Sequence, residues 1–106
     1  MTFTDLADLT ARDVVPGFHG KFVHTDGMTI AFWDVDAGAA LPAHAHPHEQ
    51  VTCVIDGQFE MTVAGETRVL TAGMVVTIPG DTPHSARALT VCRLVDVFRP
   101  VREDYR

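Results

Sequence analysis

Short runs of strand-forming residues, separated by glycine at regular intervals, constrain this chain more than any other feature. Eight glycines separate runs rich in valine, isoleucine, threonine and phenylalanine, the residues that favour strands. These runs read KFVH, MTIAFWDV, QVTCVI, QFEMTV, TRVL, MVVTI and VCRLVDVF. After Thr10 no segment keeps a helical period for three turns. The pattern therefore predicts an all-β sandwich or antiparallel barrel of about eight strands, with Asp5 to Arg12 as a possible short N-terminal helix.

Two glycine-containing pairs have the composition of tight turns. Asp56-Gly57 lies between VTCVI and QFEMTV, and Ala64-Gly65 lies between QFEMTV and TRVL. Both pairs suit the left-handed backbone of a two-residue hairpin loop. We therefore expect a β-hairpin at each position.

Length and charge limit the classes of function. A chain of 106 residues has room for one domain, spanning 1–106, with the barrel core at about 28–99. The formal net charge of −6 argues against a nucleic-acid partner, which needs a basic patch. The N-terminus lacks the pattern of a signal peptide, and no run has the length of a membrane span. We expect a cytoplasmic protein in which Cys53 and Cys92 are free thiols.

The densest chemistry lies in PAHAHPHEQ, from Pro42 to Gln50. Residues two apart in a regular strand point to the same face, so His44, His46, His48 and Gln50 would share one. Such a row is either a set of solvated surface histidines or a set of ligands converging on a metal ion. Pro47 is able to bend the strand and turn His48 away.

A second group of interest follows near the C-terminus. In LVDVF, Leu94, Asp96 and Phe98 share a face, which puts one carboxylate inside an apolar strand. A buried carboxylate needs a partner or a proton, and beside a metal it is a candidate general acid or base. The alternative is a structural salt bridge to Arg93, Arg87 or Arg102. Arg102 is either a two-pronged ligand for a substrate carboxylate or a solvated tail residue.

Two spaced motifs resemble those of the cupin superfamily. The first has a glycine, two histidines, a carboxylate position and a glycine, and the second has a glycine, a proline turn and a histidine. The matching residues are Gly38, His44, His46, Gln50 and Gly57, then Gly73, Pro79, Asp81 and His84. The resemblance implies a cupin double-stranded β-helix, a jelly-roll-like antiparallel barrel. It also implies a divalent metal ion (nickel, zinc, iron or manganese) bound by His44, His46, Gln50 and His84.

The chain departs from the cupin pattern where Gln50 and Asp81 replace the usual glutamate and glycine. Glu49 is an alternative ligand, but the spacing and the strand alternation favour Gln50. Three neutral imidazoles and a neutral amide leave a bound divalent ion with its full charge. Such a site favours an anionic substrate and Lewis-acid chemistry.

The segments HPHEQ, PHSARAL and DVFRPVREDYR are similar to those of small single-domain cupins of the KdgF type, which act in pectin and alginate catabolism. This resemblance implies conversion of Δ4,5-unsaturated monouronates to the linear 5-keto-4-deoxyuronate. It implies Asp96 and Arg102 as catalytic residues, and Phe98 and Arg102 as contacts for a small anionic sugar-acid substrate. Small cupins usually pair, so we expect a homodimer. The alternatives are another metal-dependent cupin enzyme (a dioxygenase, cyclase or isomerase) and a non-catalytic module that binds a small ligand.

Overall fold

Ten strands and two single-turn helices make up the chain, described over residues 1–106 by a computed structural model. The strands of the first half are β1 (Arg12–Asp13), β2 (Phe18–His24), β3 (Thr29–Val35), β4 (Ala40–His44) and β5 (Glu49–Asp56). Those of the second half are β6 (Phe59–Val63), β7 (Glu66–Leu70), β8 (Val75–Ile78), β9 (His84–Ala88) and β10 (Cys92–Arg99). The prediction of an all-β fold is confirmed.

Two antiparallel sheets pack face to face. The large sheet has six strands in the order β1-β2-β3-β10-β5-β8, and the small sheet has four in the order β4-β9-β6-β7. Every strand pairing is antiparallel. The expected double-sheet architecture is therefore confirmed, although there are ten strands rather than about eight. The short β1 and the edge strand β8 each pair with one neighbour only.

The hydrophobic core lies between the sheets and includes the aromatic side chains of Phe18, Trp33 and Phe59. Phe18 meets Trp33 and Phe59 edge to face, with ring centroids 6.1 and 6.2 Å apart, an arrangement that aromatic quadrupoles favour. In β10 alternate residues are buried, so Leu94, Asp96 and Phe98 point inward together. The shared face predicted for these three residues is confirmed.

The two predicted hairpins have different outcomes. Ala64 and Gly65 have φ angles of 49° and 81°, and they join β6 to β7 as an antiparallel pair in which Val63 faces Glu66. This hairpin is confirmed. The prediction at Asp56-Gly57 is wrong, because β5 belongs to the large sheet and β6 to the small one. Gly57 instead lies in the connection between the two sheets. A Cβ atom there would lie 2.3 Å from the Val91 carbonyl oxygen, which is too close for any other residue type.

Each terminal region contains one short helical turn. The helix predicted from Asp5 to Arg12 is only a 3-10 turn, Leu6–Asp8, with no buried residue to stabilise further turns. A second 3-10 turn, Glu103–Tyr105, ends the chain and packs Tyr105 against the core cluster. No helix has the length and apolar character needed to cross a membrane.

Candidate metal centre

Three histidines converge at one end of the molecule, where the chain passes from the small sheet to the large one. His44 ends β4 and lies directly opposite His84, the first residue of β9. His46 lies in the connection that follows β4. One ring nitrogen from each of the three lies within 4.8 Å of the others, so a modest adjustment of the side chains would bring all three to the bonds of about 2.1 Å that one ion makes.

Hydrogen bonds fix the same tautomer in all three rings. In each histidine Nδ1 lies beside a backbone carbonyl oxygen, which only accepts, so Nδ1 carries the proton. The acceptors are Pro42 for His44 at 2.8 Å, His48 for His46 at 3.0 Å and Thr82 for His84 at 2.8 Å. In the neutral rings Nε2 then carries the free electron pair, which is the arrangement of metal-binding histidines. In His46 that electron pair faces the Gln50 Oε1 atom at 3.1 Å, and a cation between the two would remove their repulsion.

The electrostatics of the cluster fit a divalent cation. Burial lowers the pKa of His46 and His84 below the usual value for histidine, so both rings are neutral near pH 7. The His84 Nε2 atom is buried and has no hydrogen-bond partner. A buried acceptor without a donor is unfavourable, and a metal ion would satisfy all three electron pairs at once.

Gln50 places an amide oxygen beside the histidine cluster. It lies in β5, is 6% exposed, and places its Oε1 atom 3.1 Å from the His46 Nε2 atom. The adjacent Glu49 points outward and forms an ion pair with Arg99 at 2.9 Å. Of these two neighbouring residues, Gln50 is therefore the one that faces the histidines, as the spacing predicts.

The local structure of this segment differs from the sequence interpretation. Residues 44–50 do not form one regular strand: β4 ends at His44, β5 begins at Glu49, and the connection crosses between sheets. His48 lies outside the cluster. Its Nε2 atom donates to the Val101 carbonyl oxygen at 3.3 Å, and its own carbonyl accepts from His46. His48 thus supports the connection rather than adding a ligand.

Asp96 is buried beside this centre and has two donors. It accepts from the Thr52 hydroxyl at 2.6 Å and from the Trp33 indole Nε1 at 3.0 Å. The three arginines that could have been its structural partners each pair elsewhere: Arg93 with Asp34, Arg87 with Glu60 and Arg102 with Asp104. Burial raises the pKa of Asp96 to about 6, against the opposing effect of these hydrogen bonds. A carboxyl with that pKa is able to take up and release a proton near neutral pH.

Arg102 lies between two aromatic rings at the same end of the barrel. Its guanidinium carbon is 4.7 Å from the centre of the Phe98 ring and 4.1 Å from that of Tyr105. The residue is 8% exposed, so it is not a solvated tail residue. Its Nε and Nη2 atoms donate to the two carboxylate oxygens of Asp104 at 2.9 and 2.7 Å.

One cavity connects these groups. It is bordered by His44, His46, Gln50, Asp96, Phe98 and Arg102, together with apolar residues from both sheets. The structure thus brings the candidate site residues to one place, while His84 closes the metal cluster from the side of the small sheet.

The sequence did not predict that three further residues line the cavity. These are Trp33, Thr52 and Tyr105. Thr52 could have been found from the sequence, because it is a polar residue on the same strand face as Gln50 and Val54.

Comparison with known proteins identifies the fold family. A model of the cupin domain matches residues 31–98. This chain belongs to the cupin family. It is similar over its whole length to the structure of KdgF from Halomonas sp., with 32% identity, a TM-score of 0.93 and 99% of that chain covered. It is equally similar to an RmlC-like cupin from Shewanella frigidimarina NCIMB 400, with 31% identity, a TM-score of 0.94 and 96% of that chain covered.

Enzymes are among the more distant cupin relatives. Quercetin 2,3-dioxygenase from Bacillus subtilis (strain 168) is 44% identical over 52 residues, which are 47% of this chain and 15% of that protein. This chain therefore spans only a small part of that curated relative. The ectoine synthase from P. lautus shares the fold, with 23% identity and a TM-score of 0.85. This cupin thus combines the family barrel with a three-histidine centre suited to a divalent metal ion.

Proposed function

We propose that this cupin converts Δ4,5-unsaturated monouronates into the linear 5-keto-4-deoxyuronate, with a divalent metal ion held by His44, His46, Gln50 and His84. The observation that carries the proposal is that three of these uncharged donors, His44, His46 and Gln50, border one cavity together with Asp96 and Arg102. His84 completes the histidine cluster beside it. The whole-length similarity to KdgF from Halomonas sp. adds support, as does the C-terminal DVFRPVREDYR segment.

Charge supports an anionic substrate. None of the four proposed donors carries a negative charge, so a bound divalent ion keeps a charge of about +2. Arg102 borders the same cavity, and its planar fork, which holds the exposed Asp104 carboxylate, suits a substrate carboxylate. A monouronate offers a carboxylate for Arg102 and ring oxygens for the metal centre.

The proposed reaction is an isomerisation and needs no co-reactant. A proton leaves the anomeric hydroxyl, the bond between C1 and the ring oxygen breaks, and C1 becomes an aldehyde. The resulting enolate at C5 takes a proton at C4 and becomes the ketone. A bound divalent cation would supply Lewis-acid polarisation of an oxygen. Asp96 would carry the proton, because burial brings its pKa to about 6. Arg102 would orient the carboxylate, and Phe98 would exclude water from one side of the ring.

The direct test is incubation of metal-loaded protein with unsaturated galacturonate. Loss of the ultraviolet absorbance of the conjugated alkene, with a product of unchanged mass, is the expected result. Chelator-stripped protein should be inactive and should recover activity on addition of metal. No acceleration over buffer by any loaded form would overturn the proposal.

A matched pair of variants tests the role of the arginine. Arg102→Lys should raise KM, because lysine lacks the bidentate fork. Arg93→Lys is the control, since Arg93 is exposed and lies on the outer face of the same sheet region.

A dioxygenase activity is the second candidate, supported by the local identity to quercetin 2,3-dioxygenase. Oxygen consumption by the iron-loaded protein with an aromatic or diketone substrate would favour it over uronate isomerisation. Binding of a sugar acid without turnover and without oxygen uptake would instead favour a ligand-binding module.

A further inference from the structure

We propose that Thr52 is the positioning residue that fixes the amide of Gln50, so that Oε1 rather than the amide nitrogen faces His46 of the histidine cluster. The Thr52 oxygen accepts a hydrogen bond from the Gln50 Nε2 atom at 2.9 Å. The same hydroxyl donates to the Asp96 Oδ1 atom at 2.6 Å. Thr52 is 1% exposed, so water does not substitute for either partner.

The direction of each hydrogen bond follows from the one before it, starting at Trp33 and ending at Gln50. The indole nitrogen of Trp33 is only a donor, and it holds one oxygen of Asp96 at 3.0 Å. When Asp96 is ionised its other oxygen only accepts, and it takes the single hydrogen of the Thr52 hydroxyl. The Thr52 oxygen then turns its electron pairs toward Gln50, and these require the NH₂ end of the amide.

The orientation matters because the two ends of an amide have nearly the same shape but opposite hydrogen-bonding character. If the Gln50 amide were reversed, its NH₂ group would face the His46 Nε2 region, and a nitrogen with two hydrogens is not a metal ligand. The observed orientation puts Oε1 at 3.1 Å from His46 Nε2. Thr52 therefore acts on the metal centre through Gln50, without touching it.

Strand register supplies this contact. Thr52 lies directly opposite Asp96, and Gln50 lies directly opposite Phe98, in the pairing of β5 with β10. Gln50, Thr52 and Val54 are the inward-facing residues of β5. A valine at position 52 has nearly the same shape as threonine and would fill the same space in the core, so the hydroxyl is not required by packing.

The inference rests on the metal-binding part of the proposed function and is independent of the uronate chemistry. Its test therefore measures metal affinity, with Zn²⁺ and a chromophoric competing chelator. Thr52→Val should weaken Zn²⁺ binding about 10- to 100-fold, the usual effect of removing a group that orients a metal ligand. Thr52→Ser keeps the hydroxyl and should bind within about threefold of the original protein. Thermal melting of the metal-free variants reports whether each one folds.

A double-mutant cycle separates positioning from a general structural effect. In a Gln50→Leu background, Thr52→Val should cause no further loss of affinity, because the ligand that Thr52 orients is gone. An equal loss in both backgrounds would overturn the proposal, as would unchanged affinity in Thr52→Val. A chain that binds Zn²⁺ as described but leaves unsaturated uronates untouched would refute the proposed function and leave this inference standing.

The unsubstituted protein offers a second test that does not depend on a variant folding. The sequence contains two glutamines, Gln50 and Gln58, and no asparagine, so the side-chain amide region of a ¹⁵N–¹H spectrum has only two NH₂ pairs. In the Zn²⁺-loaded protein the Gln50 pair should be protected from solvent exchange by its bond to Thr52. The exposed Gln58 serves as the internal reference. Equal exchange rates for the two pairs would contradict the proposal.

Discussion

Arg102 holds the carboxylate of Asp104 through two parallel hydrogen bonds, from Nε to Oδ1 at 2.9 Å and from Nη2 to Oδ2 at 2.7 Å. The arginine side chain is 10% exposed and the aspartate side chain 58% exposed. The fork proposed to bind a substrate carboxylate is thus already occupied by one from the same chain. Because Asp104 lies on the solvent side, we expect an incoming carboxylate to displace it.

Replacement of Asp104 should strengthen the binding of a sugar acid. An exposed ion pair contributes up to about 1 kcal/mol, so Asp104→Asn should lower the Kd for saturated galacturonate about two- to fivefold. Calorimetric titration of the metal-loaded protein measures this. Glu103→Gln removes a neighbouring charge that pairs with Arg106 instead and should change the Kd less. Weaker binding by Asp104→Asn would mean that Asp104 holds Arg102 in position rather than competing for it.

The charge of the metal centre depends on Gln50. Gln50→Glu should increase the affinity for a divalent ion, because a carboxylate offsets part of the ion's charge. The same change should raise KM for the unsaturated uronate about tenfold or more, given the cost of a like charge at short range. Chelator competition and steady-state kinetics give the two quantities. Gln58→Glu makes the same chemical change at an exposed position and should alter neither. A lower KM in Gln50→Glu would refute the charge argument.

Asp96 should be needed for turnover more than for metal binding. Asp96→Asn removes the proposed proton carrier, and kcat should fall by about 10²- to 10⁴-fold. The amide would also set its NH₂ group against one of two donors, Thr52 or Trp33, which costs about 1–3 kcal/mol of stability. Kinetics, metal content and the melting temperature separate these effects. Asp34→Asn, on the outer face of the large sheet, is the control. Unchanged kcat in Asp96→Asn would exclude it as the proton carrier.

Much of the candidate site was predictable because its residues lie close together in the sequence, at spacings that indicate their role. His44, His46 and Gln50 lie within one short segment, and the alternation of β10 places Asp96 beside Phe98 on the inner face. Strand alternation alone does not, however, account for the histidine cluster. The three rings converge because the chain crosses between sheets after His44 and because His84 lies opposite it, not because one strand presents them in a row.

Contacts between distant parts of the chain were not predictable from sequence. Thr52 and Asp96 are 44 positions apart, and Trp33 and Asp96 are 63 apart; only strand register brings them together. The Asp56-Gly57 pair illustrates the same limit. Its turn chemistry is the same whether the next strand pairs with the previous one or joins the other sheet, and nonlocal pairing decides between the two.

A surface histidine leads us to expect that the stability of β1 depends on pH. The His19 ring lies between the carboxylates of Asp36 and Asp13, one at each nitrogen. These hydrogen bonds, first that of Asp36 and then that of Asp13, raise the pKa of His19 above the usual value of 6.5. Across the strand pairing, Asp34 faces His19 and is itself paired with Arg93. The contact with Asp13 ties β1 to β2.

Because the folded protein binds this proton more tightly than the unfolded chain, the stabilisation is fully present below the unfolded pKa and is lost as pH rises through the folded pKa. Val14 and Val15 follow Asp13 and border the cavity. Detachment of β1 from β2 would therefore displace part of the cavity wall. The difference in melting temperature between the original protein and His19→Gln, both without metal, should therefore shrink as pH rises above 6.5. In an Asp13→Asn, Asp36→Asn background that pH dependence should largely disappear. A difference that stays constant or grows with pH would show that the His19 contacts do not stabilise β1 through a charged imidazole.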